Sequence, residues 1–334
     1  MKRAPTLEEV AALAGVSRST VSRVINDSPL VAAAARAAVL VAVERIGYVP
    51  NRAARSLVTR RTDSFAVVVD ESDETLFENP FFALLVAGAG DALAGRSQSL
   101  VLIIGRTAAD QQRTEAYLRA GHVDGVIFAS LHHGEALAAR LHRSGMPVVL
   151  AGRPLEAHDL PYADADNSNG ALRAVAHLVE RGRRRIATVS GPPGMVAADD
   201  RMQGYSLALD QAGLPFDPRL VESGEFSRVG GEAAMHRLLD RGPALDAVFV
   251  ASDPMALGAL SALRSRGRRV PEDVAVVSFD GTILATGAQT PITTIVQPAR
   301  ALGAALAVMV MARRDGEDPP PVILPTTLLL GRTS

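Results

Sequence analysis

The sequence predicts a small all-α headpiece, built on a helix-turn-helix and ending in a hinge helix, ahead of a two-lobed α/β core with two parallel sheets. Three observations carry that expectation. Between Leu7 and Asn26, apolar residues recur at helical spacing around a break at Gly15. From Phe65 onward, short apolar runs alternate with amphipathic stretches, the pattern of strands joined by crossover helices. Charge divides along the same line: residues 1–62 hold ten Lys+Arg against four Asp+Glu, a net of +6, so in a chain of net −1 the remaining residues carry −7.

The first helix opens with Thr6 and Glu9 at capping-box spacing, and the second with Ser17, whose hydroxyl can accept from exposed backbone N–H groups. Val10, Ala11, Leu13, Val16, Val21, Val24 and Ile25 are then expected to face one small core. That leaves Arg18, Ser19, Ser22 and Arg23 on the outer face of the second helix. An arginine there can donate two hydrogen bonds to guanine, and short hydroxyls suit base edges or phosphates. Asp27-Ser28-Pro29 breaks the pattern, a third helix runs from about Ala32 to Ile46 with Val39, Leu40, Val43 and Ile46 apolar, and Gly47 stops it. A short basic helix follows from Asn51 through Leu57. Helices under ~12 residues are marginal alone, so this one is expected to order only against a twin and DNA. A basic head on an acidic body points to DNA binding rather than to a merely structural helical cap.

The core begins with strands in FAVVVD, SLVLIIG, GVIFAS and PVVLAG, with helices from about Pro80 to Leu93, Asp110 to Ala120 and Gly134 to Ser144 between them. A second series, IATVSG, LVESG, AVFVAS and VAVVSF, is separated by helices near Asp199 to Ala212, Arg228 to Arg241 and Pro254 to Arg266. In such sheets a ligand sits beyond the carboxyl ends of the strands, here in a cleft between two lobes.

Composition narrows the function classes. With 48% apolar and 21% charged residues over 334 positions, the chain reads as a globular protein of two or three domains. It contains no cysteine, which excludes disulfides and thiolate metal sites. The start, MKRAPTLEEV, lacks the apolar run of a secretory signal, and the stretch from Ala299 to Ala312 is shorter than the ~20 residues a bilayer requires. A cytoplasmic protein with no membrane partner is expected. The seven histidines form no HExxH, and Ser190-Gly191-Pro192-Pro193-Gly194 is neither a nucleophile elbow nor a phosphate loop. No enzymatic activity, cofactor or metal is expected.

AGVSRSTVSRVIN and GYVPNRAARSL in the head, with ENPFF, VDGVIFA, GMPVVL, DRMQGY, SDPMALGAL, VPEDVAVVSFD and TTIVQP in the body, resemble the lactose-repressor (LacI/GalR) family of transcription regulators over nearly the whole chain. The resemblance implies a periplasmic-binding-protein-like core and three domains: the helix-turn-helix at 1–50, the hinge helix at 51–62 and the effector-binding and dimerisation core at 63–334. One lobe would combine 63–165 with 297–324, and the other 166–296 with 325–334. It also implies a homodimer on a near-palindromic operator in double-stranded DNA, whose affinity follows a small molecule, a sugar or sugar derivative, in the cleft. The chain's last residues carry no heptads, so no tetramerising coiled coil is expected.

Carried over residue by residue, Arg18, Ser19 and Arg23 stand where the family reads bases. Ser17, Thr20, Ser22 and Asn26 stand where it touches backbone or caps helices, and Thr6 and Asn51 at helix starts join them. Leu57 matches the minor-groove wedge, with Ala53 and Arg55 beside it; a packing role in the hinge is its alternative. In the cleft, Arg201 and Asp280 match the ligand-binding arginine and aspartate, and Phe226 a stacking aromatic; an interlobe salt bridge with a core phenylalanine is the alternative. Phe81 and Phe82 line the first lobe's side, one of them as core, and Glu71 and Ser252 complete the effector set. Asp253, before Pro254, reads as a helix cap rather than a ligand contact. The chain departs from the family at Gly152-Arg153, at Arg106, at Ser252-Asp253, in the acidic insertion from Asp70 to Phe77, and in the alanines that open the third helix. A periplasmic-type solute-binding protein and a regulator using a nucleobase-like corepressor are the competing readings.

Overall fold

The computed structural model describes residues 5–25, 28–49, 61–70, 73–105, 107–129, 135–155, 159–241 and 244–334. They form two compact units, 1–62 and 63–334. The expected hinge helix from Asn51, and with it Asn51, Ala53, Arg55 and Leu57, lies outside the described residues, as do Asn26 and Glu71.

In the first unit, α1 (Leu7–Ala14), α2 (Arg18–Ile25) and α3 (Ala33–Ile46) surround Val10, Val21, Val24, Val39 and Ala42. The capping box of α1 is complete: Glu9 N donates to Thr6 Oγ1 at 3.3 Å, and Thr6 N donates to Glu9 Oε2 at 2.8 Å. Gly15, at φ 66°, takes the left-handed turn that separates α1 from α2. Ala32 offers α3 no side-chain cap. Two leucines of the head lie outside its core, Leu13 against expectation. Leu13 is 41% exposed and Leu40 55%. At 3.6 residues per turn Leu13 lies roughly 110° round from the centre of the buried pair Val10 and Ala11 in α1, and Leu40 roughly 130° from that of Val39 and Ala42 in α3.

The second unit contains two six-stranded sheets. The first has the order β11-β5-β4-β3-β1-β2 and is built from β1 (Ser64–Val69), β2 (Ser99–Ile104), β3 (Val126–Phe128), β4 (Val148–Ala151), β5 (Tyr162–Ala165) and β11 (Val322–Leu324), all parallel. The second has the order β12-β10-β9-β8-β6-β7, from β6 (Ile186–Ser190), β7 (Val221–Ser223), β8 (Ala247–Val250), β9 (Ala275–Asp280), β10 (Thr293–Val296) and β12 (Thr327–Leu329). Only β12 runs antiparallel to its neighbour. Helices α4 (Asp73–Glu78), α5 (Pro80–Ala94), α6 (Ala108–Arg119) and α7 (Glu135–Arg143) fall within the first series. Helices α8 (Asn167–Glu180), α9 (Val196–Gln211), α10 (Arg228–Asp240), α11 (Asp253–Ser265) and α12 (Ile283–Thr286) fall within the second. The next helix, α13 (Ala299–Arg314), returns to the first sheet, where Leu302, Leu306 and Val310 pack with Phe65, Val67 and Leu85.

The chain therefore passes between sheets three times: from β5 into α8, from β10 into α13, and from β11 into β12. The first and third passages are tied together. Asp166 N donates to Leu324 O at 2.9 Å, and Arg173 Nη1 donates to Thr326 O at 2.6 Å. Helices α5 and α13 approach so closely that a Cβ on Gly88 would sit 1.9 Å from Arg300 O, and one on Gly303 1.9 Å from Leu85 O. Strand β5 and helix α8 had no counterpart in the hydrophobic pattern. Their stretch, YADADNSNGALRA, is polar, and the buried stripe of α8 is largely alanine and glycine, which contrasts weakly with its surroundings.

Candidate functional site

On the head, Ser17, Arg18, Ser19 and Arg23 are exposed along α2, with Thr20 and Ser22 half-buried beside them. Ser17 Oγ accepts from Thr20 N at 3.1 Å and lies 2.8 Å from Ser19 Oγ, so it holds the helix start as well as the surface. Arg18 Nη1 sits 3.1 Å from Glu8 Oε1, and both side chains are well exposed. Such a pair contributes little and yields readily to a phosphate or a base. Thr6 is committed to capping α1, so its hydroxyl is already engaged.

In the second unit, a cleft between the sheets encloses, with its open mouth, about 940 Å³. It brings together Phe81, Phe82, Arg201, Phe226 and Asp280. Arg201 projects from α9 and is only 5% exposed. Its Nε donates to Asn167 Oδ1 at 2.9 Å and its Nη1 to Ala251 O at 2.5 Å, with Asp280 Oδ1 3.5 Å away. The guanidinium carbon lies 3.8 Å from the ring centroid of Phe279 and 5.8 Å from that of Phe226. Burial pulls the Arg201 pKa down, and the carboxylates of Asp280, Asp164 and Asp253 oppose that pull.

Asp280 ends β9 with φ 110°, a backbone conformation that disfavours any side chain. Its Oδ1 accepts from Gln297 Nε2 at 2.7 Å and its Oδ2 from Asp253 N at 3.4 Å. Burial pushes its carboxyl up to about 7, with Arg201 working against the shift and Asp253 adding to it. Phe226 also has a positive φ, 52°. Its ring occupies the space over Gly191, where a Cβ would come within 2.2 Å of the ring. The turn from Ser190 to Gly194 is therefore the seat of an aromatic side chain. Phe81 and Phe82 meet edge to face at 5.4 Å; Phe82 is buried in the first core while Phe81 is only partly so.

Ser252 is not part of the cleft. It is 1% exposed and caps α11, its Oγ accepting from Met255 N at 3.4 Å, so the cap role expected of Asp253 falls one residue earlier. Asp253 instead accepts from Ser278 Oγ at 2.6 Å, Thr294 Oγ1 at 2.9 Å, and Thr282 N and Oγ1 at 2.6 and 2.9 Å. Those four bonds fix the turn after β9 and with it the position of Asp280.

The structure adds Asp164, Asn167 and Gln297, which the sequence reading had not singled out, and places Arg153, noted there as a departure from the family, on the cleft as well. Asp164 is buried, its carboxyl raised above the ordinary range by desolvation; it accepts from Arg153 N at 3.1 Å and Asn167 Nδ2 at 3.1 Å. Asn167 and Gln297 lie just after β5 and β10, at carboxyl ends of strands, which was the one signal available for them. Among the described residues no helix is long and apolar enough to cross a membrane.

Residues 6–51 match the model of bacterial regulatory proteins of the lacI family, and residues 175–334 match that of a periplasmic binding protein-like domain. The HTH-type transcriptional regulator CelR of Thermobifida fusca is 49% identical over 333 residues, covering 98% of each chain. The chain belongs to the LacI family. It is accordingly a DNA-binding transcription regulator and not an enzyme. Two solved structures of the family share its whole architecture. A transcriptional regulator CelR–cellobiose complex superposes with a TM-score of 0.80 at 46% identity, covering 99% of this chain and 100% of that one. The lac repressor dimer bound to operator and the anti-inducer ONPF superposes with a TM-score of 0.85 at 28% identity, covering 99% of both.

Proposed function

We propose that this regulator is a cytoplasmic homodimeric repressor whose operator affinity is set by a saccharide in the interlobe cleft, with cellobiose the first candidate. The supporting observation is the facing of a buried guanidinium–carboxylate pair, Arg201 and Asp280, by the rings of Phe226 and Phe81 across one cavity. A sugar ring needs such a site: hydroxyls that donate and accept around its rim, and C–H faces that lie on aromatic rings. The likeness to the CelR–cellobiose complex supports the same ligand class. At the other end of the chain, Arg18, Ser19 and Arg23 read bases, and Ser17, Thr20, Ser22 and Asn26 meet the backbone. Asn51, Ala53, Arg55 and Leu57 follow the minor groove at the operator's centre.

The test is calorimetry of the full chain with cellobiose, glucose and maltose, paired with fluorescence anisotropy on an operator selected from random DNA. Cellobiose should bind and shift operator affinity by about 5- to 150-fold, the range of a ~1–3 kcal/mol coupling. Absence of binding by any of the three sugars, or binding with no change in DNA affinity, refutes the reading.

A further inference from the structure

Helix α13 runs from the cleft to the far end of the first sheet. Its start belongs to the site: Gln297, two residues before it, donates from Nε2 to Asp280 Oδ1 at 2.7 Å, and Leu302 in its first turn lines the cavity. Sixteen residues at 1.5 Å each make a rod of ~24 Å. Leu302, Leu306 and Val310 hold it in the first core, and α5 meets it backbone to backbone at Gly88 and Gly303. Interiors packed this closely transmit displacement instead of absorbing it, so what moves Gln297 also moves the other end of the helix.

That other end is Arg314, whose side chain is 14% exposed. Its guanidinium carbon lies 5.4 Å from the Phe65 ring centroid, and its Nη1 donates to Gln98 Oε1 at 3.3 Å. Gln98 Nε2 lies 3.5 Å from Asp63 Oδ1, Asp63 N donates to Asp124 Oδ2 at 2.9 Å, and Ser99 N donates to Asp63 O at 2.8 Å. Asp63, Gln98 and Asp124 stand just before β1, β2 and β3, so this cluster gathers the amino ends of strands whose carboxyl ends face the cleft. Asp63 is held at φ 53°, a left-handed conformation that a residue with a Cβ keeps only where its surroundings enforce it. It opens the second unit, and residue 62 of the first precedes it in the chain. We propose that Asp63, Gln98, Asp124 and Arg314 form the output joint of the core: α13 carries the state of the cleft to Arg314, and the joint turns it into operator affinity through the chain it holds at Asp63. All four are positioning residues, and none of them lines the cleft. The proposal rests on the reading that a ligand in the cleft sets operator affinity.

The experiment compares the full-length wild type with Arg314→Met, Asp124→Ala and Asp124→Asn by operator anisotropy with and without cellobiose, by cellobiose calorimetry without DNA, and by melting temperature. Arg314→Met and Asp124→Ala should each lose about tenfold in ligand-free operator affinity, because a chain no longer held at Asp63 must be ordered when DNA binds. The cellobiose-driven shift in operator affinity should shrink to less than about threefold, while cellobiose affinity without DNA stays within about twofold of wild type. Asp124→Asn keeps an oxygen that can accept from Asp63 N and should recover most of both losses. Unchanged ligand-free operator affinity in Arg314→Met and Asp124→Ala overturns the proposal. That arm needs no ligand, so it decides even if the wild type fails to bind cellobiose, a failure that refutes the saccharide reading alone. A loss of cellobiose affinity as large as the loss of response would also overturn it, by making the cluster a support of the cleft. The two disruptive variants break the cluster at separate points, so the test stands if either one folds poorly.

Discussion

The two walls of the cleft are built from different chemistry. The wall from the first sheet mostly packs: Phe81, Phe82, Leu155 and Leu302 present carbon, with Asn79, Arg153 and Asp164 as its polar members. The wall from the second sheet bonds: Arg201, Asn167 and Asp280 form one buried network that reaches Gln297 at the return passage. Hydrogen bonds lose their worth steeply with angle and distance, whereas apolar contact tolerates small displacements. A ligand is therefore oriented by the second wall and covered by the first. Because both passages flanking Asn167 and Gln297 join the lobes, a ligand that rearranges the bonded wall acts directly on the joints about which the lobes turn.

The contrast can be broken by removing each wall's principal groups and ranking the losses. Arg201→Met should cost the most: it removes the charged donor of the bonded wall, a charge-assisted bond being worth ~1.5–3 kcal/mol, so cellobiose affinity should fall by about 10- to 150-fold in calorimetry while operator binding persists without a ligand response. Phe226→Ala should cost about 1–2 kcal/mol, roughly 5- to 30-fold, and Phe81→Ala less, since its wall tolerates rearrangement. A larger loss in Phe81→Ala than in Arg201→Met would reverse the division of labour. Gly191→Val should approach the Phe226→Ala loss without touching the ligand, because its side chain claims the ring's space, and the double variant should be no weaker than Phe226→Ala alone.

The smallest effect concerns pH. Folding raises the Asp280 carboxyl from 3.8 to about 7, so the folded state holds a proton that the unfolded chain releases. Its contribution to stability is full below about pH 4 and is lost as pH rises through 7. Asp164 and Asp253, both raised by burial, act in the same direction. The melting temperature of the ligand-free protein should decline between pH 5 and pH 8, and Asp280→Asn should flatten that decline. An equal slope in the variant would place the titration elsewhere.

The helices of the head and most strands of the core were legible because burial there follows a period: Val10, Ala11 and Ala14 in α1, and the unbroken apolar run of β1. Arg201, Asp280 and Phe226 were reached through resemblance, and the geometry joins them. What stayed hidden is non-periodic. Asp164, Asn167 and Gln297 sit where the chain changes sheets, and their roles depend on partners 11, 34 and 17 positions away, Arg153, Arg201 and Asp280. Ser252 went astray for the opposite reason: a serine before Asp-Pro satisfies a helix start as well as it would a ligand, and here the helix has it.

The three passages also fix an order of manufacture. The second sheet draws all but one edge strand from the unbroken segment between α8 and β10, whereas the first lacks α13 until after residue 298 has been made. Chains fold as they emerge, earlier segments first. In this one the later lobe has all but that edge strand in hand when the earlier still lacks the α13 residues that pack on Phe65, Val67 and Leu85. In chain order, the residues of the cleft's bonded wall are therefore complete before the last helix of the packing wall has been made.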